Sequence, residues 1–163
     1  MKFDLKKINF RKHKKSDIDW RIKWLNDEKI NKFVLDDSTK KTNEAEQKKW
    51  FDDYEKNTSK EFFTILYEKS PIGLIGLSKI NKRLKSANLF IMIGEKKFHG
   101  RGIGYISSQF IMNYVFEKLK LKRIDLEVDR NNLSAIKLYK NLGFKENKKL
   151  SNKKEIAMFL LKN

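Results

Sequence analysis

The stretch Ala87-Asn88-Leu89-Phe90-Ile91-Met92-Ile93-Gly94, then His99-Gly100-Arg101-Gly102-Ile103-Gly104, then the apolar-periodic run from Tyr105 to Leu119, decides the fold. The first eight residues read as a strand and the last fifteen as a helix. Between them, a glycine-rich turn gathers backbone N–H groups at the positive end of the helix dipole, where a phosphate can sit. Glycine there permits positive φ and close approach by a ligand. Taken alone, the same glycines equally describe a structural turn.

Working outward, 163 residues suffice for one domain with a single sizeable core, and the expected domain is 1–163. The absence of cysteine excludes a disulfide framework, a thiolate metal site and a cysteine nucleophile. No apolar run approaches the roughly 18 residues of a membrane span, and Met1 to Leu5 lacks the apolar region of a signal peptide. The expected setting is cytoplasmic, with no membrane partner and no metal. The net charge is +17, but only six of the 38 basic residues are arginine and the lysines are scattered. That pattern fits a solvated surface better than a nucleic-acid interface, because arginine reads phosphates in a fixed fork. Anionic small molecules would still be favoured.

Residues 3–11 can alternate as a strand with Phe3, Leu5, Ile8 and Phe10 inward. Ser16 to Asp19 has the form of a capping box opening a helix with Trp20, Ile22, Trp24 and Leu25. His13, amid lysines, is expected in solvent. Thr42 or Asn43 can cap a second helix through Trp50, Phe51 and Tyr54. Strands follow at 61–67 and 72–80, the second with Gly73 and Gly76 as signs of a bulge or close packing. Pro71 lies in the turn between them. In 123–129, Ile124, Leu126 and Val128 point one way and Asp125, Glu127 and Asp129 the other. Asn132 caps a helix ended by Gly143 and Phe144. Two last strands, about 144–150 and 155–162, complete a β-α-α-β-β-β-α-β-α-β-β order, a mixed α/β domain.

No Gly-Lys-Ser/Thr follows the glycine turn, which disfavours a nucleoside-triphosphate loop. The Gly100-x-Gly102-x-Gly104 spacing, late in the chain, also fails the dinucleotide fingerprint. The arrangement instead resembles the GCN5-related N-acetyltransferase (GNAT) superfamily, whose pyrophosphate signature is Gln/Arg-x-x-Gly-x-Gly/Ala. His99 replaces the first residue of that signature. The second signature, Asn-x-x-Ala-x-x-Leu-Tyr followed by Gly-Phe, is matched by Asn132, Ala135, Leu138, Tyr139, Gly143 and Phe144. The resemblance implies a mostly antiparallel sheet splayed between its two central strands and flanked by helices. It implies acetyl-CoA as cosubstrate.

The resemblance also implies roles. Met92, Ile93 and Gly94 would offer backbone groups to the pantetheine arm, and His99, Gly100, Arg101, Gly102, Ile103 and Gly104 would hold the pyrophosphate. Asn132 would contact the coenzyme. Tyr139 would be the general acid for the leaving thiolate, a task that suits a positioned phenol. Glu127 stands twelve residues before Tyr139, as the base does in the bacterial ribosomal-protein alanine acetyltransferases. An amine must lose its proton to attack, so a carboxylate there has a task, unless an ordered water takes it or Glu127 belongs to a solvated face. His99 is a weaker candidate base.

The first two helices and their loop would form the acceptor wall, with Trp24, Asn26 and Phe33 as substrate-binding residues and Asp36-Asp37 beside them. This region resembles a subgroup acting on ribosomal-protein N-termini, spermidine and amino-sugar nucleotides. The charge favours a small-molecule amine carried by a nucleotide-linked sugar, with the protein N-terminus as alternative and a polyamine after that. A homodimer is compatible. A reading of another class is a non-catalytic module binding coenzyme A or RNA, against which the intact Tyr139, Asn132 and glycine loop argue.

Overall fold

The computed structural model describes residues 2–35 and 37–163, so Asp36 lies outside the described residues. Its elements run β1 (Ile8–Lys12), α1 (Ile18–Leu25), α2 (Glu28–Asn31), α3 (Glu44–Lys56), β2 (Glu61–Tyr67), β3 (Ser70–Asn81) and β4 (Ser86–Ile93). Then follow α4 (Ile103–Asn113), β5 (Arg123–Asp129), α5 (Leu133–Asn141), β6 (Lys145–Glu146) and β7 (Glu155–Leu161). One seven-stranded sheet has the order β1-β2-β3-β4-β5-β7-β6, and only the central β4–β5 pair is parallel.

That pair opens. β4 and β5 are in register only at Ser86↔Arg123, Ala87↔Ile124 and Asn88↔Asp125. Beyond Asn88, β4 stays paired with β3 as far as Ile93, and β5 stays paired with β7 as far as Asp129. Each strand is thus held by its outer neighbour while a gap widens between them. Two cores fix the faces of the sheet. On one face Ala87, Leu89, Ile124, Leu126 and Val128 pack with Ile103, Ile111 and Tyr139 of α4 and α5. On the other, Leu74 and Met92 pack with Trp24, Leu25 and Ile30 of α1 and α2.

Local signals account for many of the element ends. The Asn43 side chain accepts from the Glu46 N–H at the start of α3, and Asn132 does the same for Ala135 at the start of α5, each cap contributing about 1 kcal/mol. α5 closes with Phe144 N–H on the Tyr139 carbonyl and Gly143 N–H on Lys140, a Schellman pair. Gly73 and Gly76 mark close packing: a Cβ would strike the Met92 carbonyl at the first and the Phe62 ring at the second. The register shift is at Ile65/Leu66 instead, opposite Pro71, which lies inside β3 and not in the turn.

Several expectations are corrected. A 3-10 turn at Leu5–Lys7 precedes β1, and Leu5 is exposed. α4 starts at Ile103, two residues earlier than expected, and ends in a π-wound turn at Tyr114–Lys118. β6 has two residues rather than seven. Ser16 to Asp19 is not a capping box for α1: Ser16 lies in a 3-10 turn at Lys15–Asp17, and Asp17, the residue at the N-cap, makes no cap bond because its side chain turns inward. It is 2% exposed and accepts from both Arg11 Nη groups (2.7 and 2.8 Å), Thr64 Oγ1 (2.8 Å) and Lys14 N–H (2.9 Å). His13 is likewise buried, with Nδ1 2.9 Å from Thr64 Oγ1. Because that hydroxyl donates to Asp17, Nδ1 must carry the proton and Nε2 is left bare among Trp50, Phe51 and Tyr54. Burial pushes the His13 pKa down, and its hydrogen-bonded partners hold the Asp17 carboxyl far below the ordinary carboxylate range.

Candidate active site

The site is built around the gap. Gly94 N–H donates to the Ile72 carbonyl, so by strand alternation the peptide groups of Ile93 face away from β3, toward β5. Of Met92, Ile93 and Gly94, only Ile93 presents its backbone to the gap. Met92 pairs with Leu74 and is buried, and Gly94 lies against Trp24, whose indole a Cβ there would enter. The Ile93 carbonyl accepts from His99 Nε2 at 2.8 Å. That bond fastens the start of the glycine loop to the end of the strand.

Gly100 and Gly102 have φ of 68° and 80°, left-handed values that would cost other residues about 1–2 kcal/mol. Gly102 is the N-cap of α4, and no side chain caps that end. The first amide groups of the helix are therefore free donors beside an exposed loop. A Cβ on Gly100 would meet nothing within 4 Å, so the loop borders open space. Arg101 folds back, with Nε on the Lys97 carbonyl (2.7 Å) and its guanidinium 5.2 Å from the Phe3 ring. The loop offers backbone N–H groups in front and positive charge behind. A diphosphate matches that donor set, and an extended amide-bearing arm matches the exposed strand edge.

Deeper in the gap, three acidic side chains share the α1-facing side of β5, and two are occupied. Asp125 accepts from Arg123 Nε at 2.8 and 2.9 Å, and Asp129 accepts from the Asn131 N–H at 2.8 Å. Glu127 is exposed and makes no hydrogen bond or ion pair with any described residue. A cleft of about 310 Å³ opens beside it, lined among others by Asn88, Asp125, Asn147 and Leu150. On the opposite face, Tyr139 is 5% exposed and packs against Phe144 with centroids 5.5 Å apart. No described residue hydrogen-bonds its hydroxyl, and burial raises its pKa, so the phenol keeps its proton at neutral pH. Asn132 spends its Oδ1 on capping α5 and leaves its amide N–H₂ free.

Residues 7–145 match the Acetyltransferase (GNAT) domain family. The chain belongs to that family. GNAT enzymes transfer acetyl groups from acetyl-CoA, and this protein is an N-acetyltransferase of that type. It is 27% identical to Acetyltransferase PseH of Campylobacter jejuni over 140 residues, covering 86% of this chain and 84% of that one. It is 30% identical to the spermidine N(1)-acetyltransferase of Escherichia coli over 94 residues, 58% of this chain and 50% of that one. The crystal structure of spermidine N-acetyltransferase from Vibrio cholerae with CoA and spermine superposes with a TM-score of 0.85. There the identity is 22% and the coverage 96% of both chains.

The expected acceptor wall has a different composition from the one its sequence suggests. Trp24 is 1% exposed, a core residue whose Nε1 donates to Glu95 at 2.9 Å. Asn26 is a brace, giving Nδ2 to the Thr42 carbonyl and accepting from Thr42 N–H. Phe33 alone of the three is exposed, with Lys32 Nζ 4.6 Å from its ring centroid. Asp37 is exposed and accepts from Thr39. Gln47 and Arg21, both buried and hydrogen-bonded to each other, had no motif to announce them. The helical period of α1 was the available signal, since Arg21 lies on the same face as Trp24 and Leu25.

Proposed function

We propose that this GNAT enzyme acetylates the primary amine of a nucleotide-linked amino sugar, with Glu127 as base and Tyr139 as acid. Acetyl-CoA supplies an activated acetyl thioester when bound. Ile93 and the amides from His99 to Gly104 would hold it along the gap, with Asn132 at the opposite edge. Glu127 reaches that gap from the α1 side and Tyr139 from the α5 side, so the splayed strands are what let both act at one carbonyl. Glu127 Oε takes a proton from the amine, which frees the lone pair for attack. Tyr139 Oη gives its proton to the departing sulfur, and burial keeps that proton in place until then.

The observation that carries the choice of base is occupancy: of three carboxylates on one side of β5, Glu127 alone has no partner. Charge supports the choice of acceptor. Around α1 and α2, Asp27 is paired with Lys96 (2.6 Å), Glu28 with Lys41 (3.7 Å) and Glu95 with Lys23 (2.6 Å). These three acids are already compensated, so the negative charge left near them is that of exposed Asp19 and Asp37, which make no ion pair with a described residue. A polyamine acceptor is the second reading, favoured by the spermidine acetyltransferases among the relatives. Thiol release should be followed with UDP- and dTDP-linked amino sugars, spermidine and N-terminal peptides. Turnover with the nucleotide-linked amines is expected. Preference for spermidine would overturn the acceptor assignment and leave the acetyl-transfer chemistry intact.

A further inference from the structure

Arg21 lies on the inner side of α1, one turn before Trp24 and Leu25, and is 8% exposed. A cation withdrawn from water needs a counter-charge or full hydrogen bonding to offset the loss of solvation. Among the described residues no carboxylate is within ion-pair distance of it. The acid one helical turn before it, Asp17, is saturated by Arg11, Thr64 and Lys14. Burial lowers the pKa of Arg21 to about 10, which leaves it charged at neutral pH.

Its orientation is fixed by what it does touch. The guanidinium lies 3.6 Å from the centroid of the Trp50 ring, and Nε donates to Gln47 Oε1 at 3.0 Å. Gln47 in turn gives Nε2 to Thr42 Oγ1 at 3.0 Å, and Thr42 is tied to Asn26. This chain of bonds uses one nitrogen and leaves Nη1 and Nη2 with no acceptor. Below it, Trp50 stacks on Phe62 with centroids 5.7 Å apart, and Phe62 abuts Phe90 of β4 at 6.1 Å. An aromatic floor thus runs from Arg21 toward the strand that borders the gap.

We propose that Arg21 is a specificity-determining residue that receives a phosphate group of the acceptor on its two free Nη groups. The proposal rests on the reading of the acceptor as a nucleotide-linked amine. A guanidinium fork matches two phosphate oxygens in one plane, and partial desolvation strengthens both bonds. The stacked ring and Gln47 hold the fork before the ligand arrives, so little side-chain freedom is lost on binding. A polyamine would meet an uncompensated cation at the same place.

UDP is the probe, titrated calorimetrically into the wild-type protein, Arg21→Lys and Arg21→Gln, with acetyl-CoA titrated in parallel to report folding. UDP binding to wild type is expected to weaken about 10-fold in Arg21→Lys and further in Arg21→Gln, with acetyl-CoA affinity unchanged. If Arg21→Gln no longer binds acetyl-CoA, Arg21→Lys decides, because it keeps the charge and loses the fork. Equal UDP affinity in wild type and variants would overturn the proposal, as would no UDP binding to wild type at about 10 mM, a free energy below 3 kcal/mol. Turnover of a nucleotide amino sugar with unchanged KM in both variants would overturn the role of Arg21 and spare the acceptor assignment. Arg21-dependent UDP binding without such turnover would support the phosphate site and count against the acceptor assignment.

Discussion

The two halves of the proposed site are built from different materials. The donor side is main chain: the Ile93 peptide, two left-handed glycines and the uncapped start of α4. Its side chains point elsewhere, as Arg101 does toward Phe3. The wall proposed for the acceptor is side chain upon side chain: Arg21 on Trp50 and Gln47, with Asp17 among Arg11, Thr64 and His13 one turn earlier in the chain. A constant ligand suits a backbone cradle, which few substitutions can alter. A variable ligand suits a wall of side chains, which a single substitution can re-specify. Tyr139 and Glu127 lie on opposite faces of the sheet, and substituting them tests whether both act in one reaction.

The largest effect is expected from Tyr139→Phe. Removing the hydroxyl leaves the buried ring and its packing on Phe144 in place. Loss of a general acid is worth about 10²- to 10⁴-fold in kcat, and the KM for acetyl-CoA should hold, because the cradle is backbone. A matching loss in acetyl-CoA affinity would mean that the donor side relies on this side chain after all.

Asp17→Asn should act on stability, by about 3 kcal/mol, since it strips a buried acceptor from Arg11. The pH dependence of the wild type follows from the same cluster. The Asp17 carboxyl is depressed in the folded state, so its stabilisation is full above its unfolded value of about 4 and is lost as pH falls toward the folded one. The His13 pKa is also depressed, so its share is lost as pH falls below about 6.5, where the unfolded chain takes up the proton first, at a higher pH than the share of Asp17. Chemical denaturation between pH 7 and pH 3 should show stability declining in two stages. A flat profile would mean that neither group is held as the hydrogen bonds imply.

This contrast also explains what could be read in advance. The donor side was legible because its determinants are local: a strand pattern, glycines at fixed offsets, an asparagine cap, a glycine stop. The acceptor side was not, because its contacts join distant residues. His13 and Thr64 are 51 positions apart, and Trp24 is buried by a glycine seventy residues later. A histidine amid lysines looks solvated until β2 and α3 close over it. Ser16 to Asp19 has the local pattern of a capping box, whereas the partners that draw Asp17 inward, Arg11 and Thr64, become neighbours only when β1 and β2 pair.

Glu127→Gln should lower kcat about 10²-fold, the low end for general-base loss, and flatten the acidic limb of the rate profile. The substitution is nearly isosteric, and the exposed side chain holds no partner to disturb, so stability should not move. An unaltered pH–rate profile would remove Glu127 from the chemistry and leave proton transfer to solvent.

The smallest effect is expected from His99→Ala, and it is the sharpest test of a backbone donor side. His99 stands where the family signature has Gln or Arg, so a side chain with its own contact to the coenzyme would be a natural reading. The structure gives its Nε2 to the Ile93 carbonyl instead, from an exposed position. Losing one such bond costs about 0.5–1.5 kcal/mol, and less where water can replace it. The loop conformation itself is set by the glycines and by Phe98, buried beside Phe3 and Tyr67. The KM for acetyl-CoA should therefore rise by no more than about threefold, with kcat unchanged. A rise of 30-fold or more would show that the imidazole, and not the main chain, orders the cradle, and the division between a main-chain cradle and a side-chain wall would no longer hold.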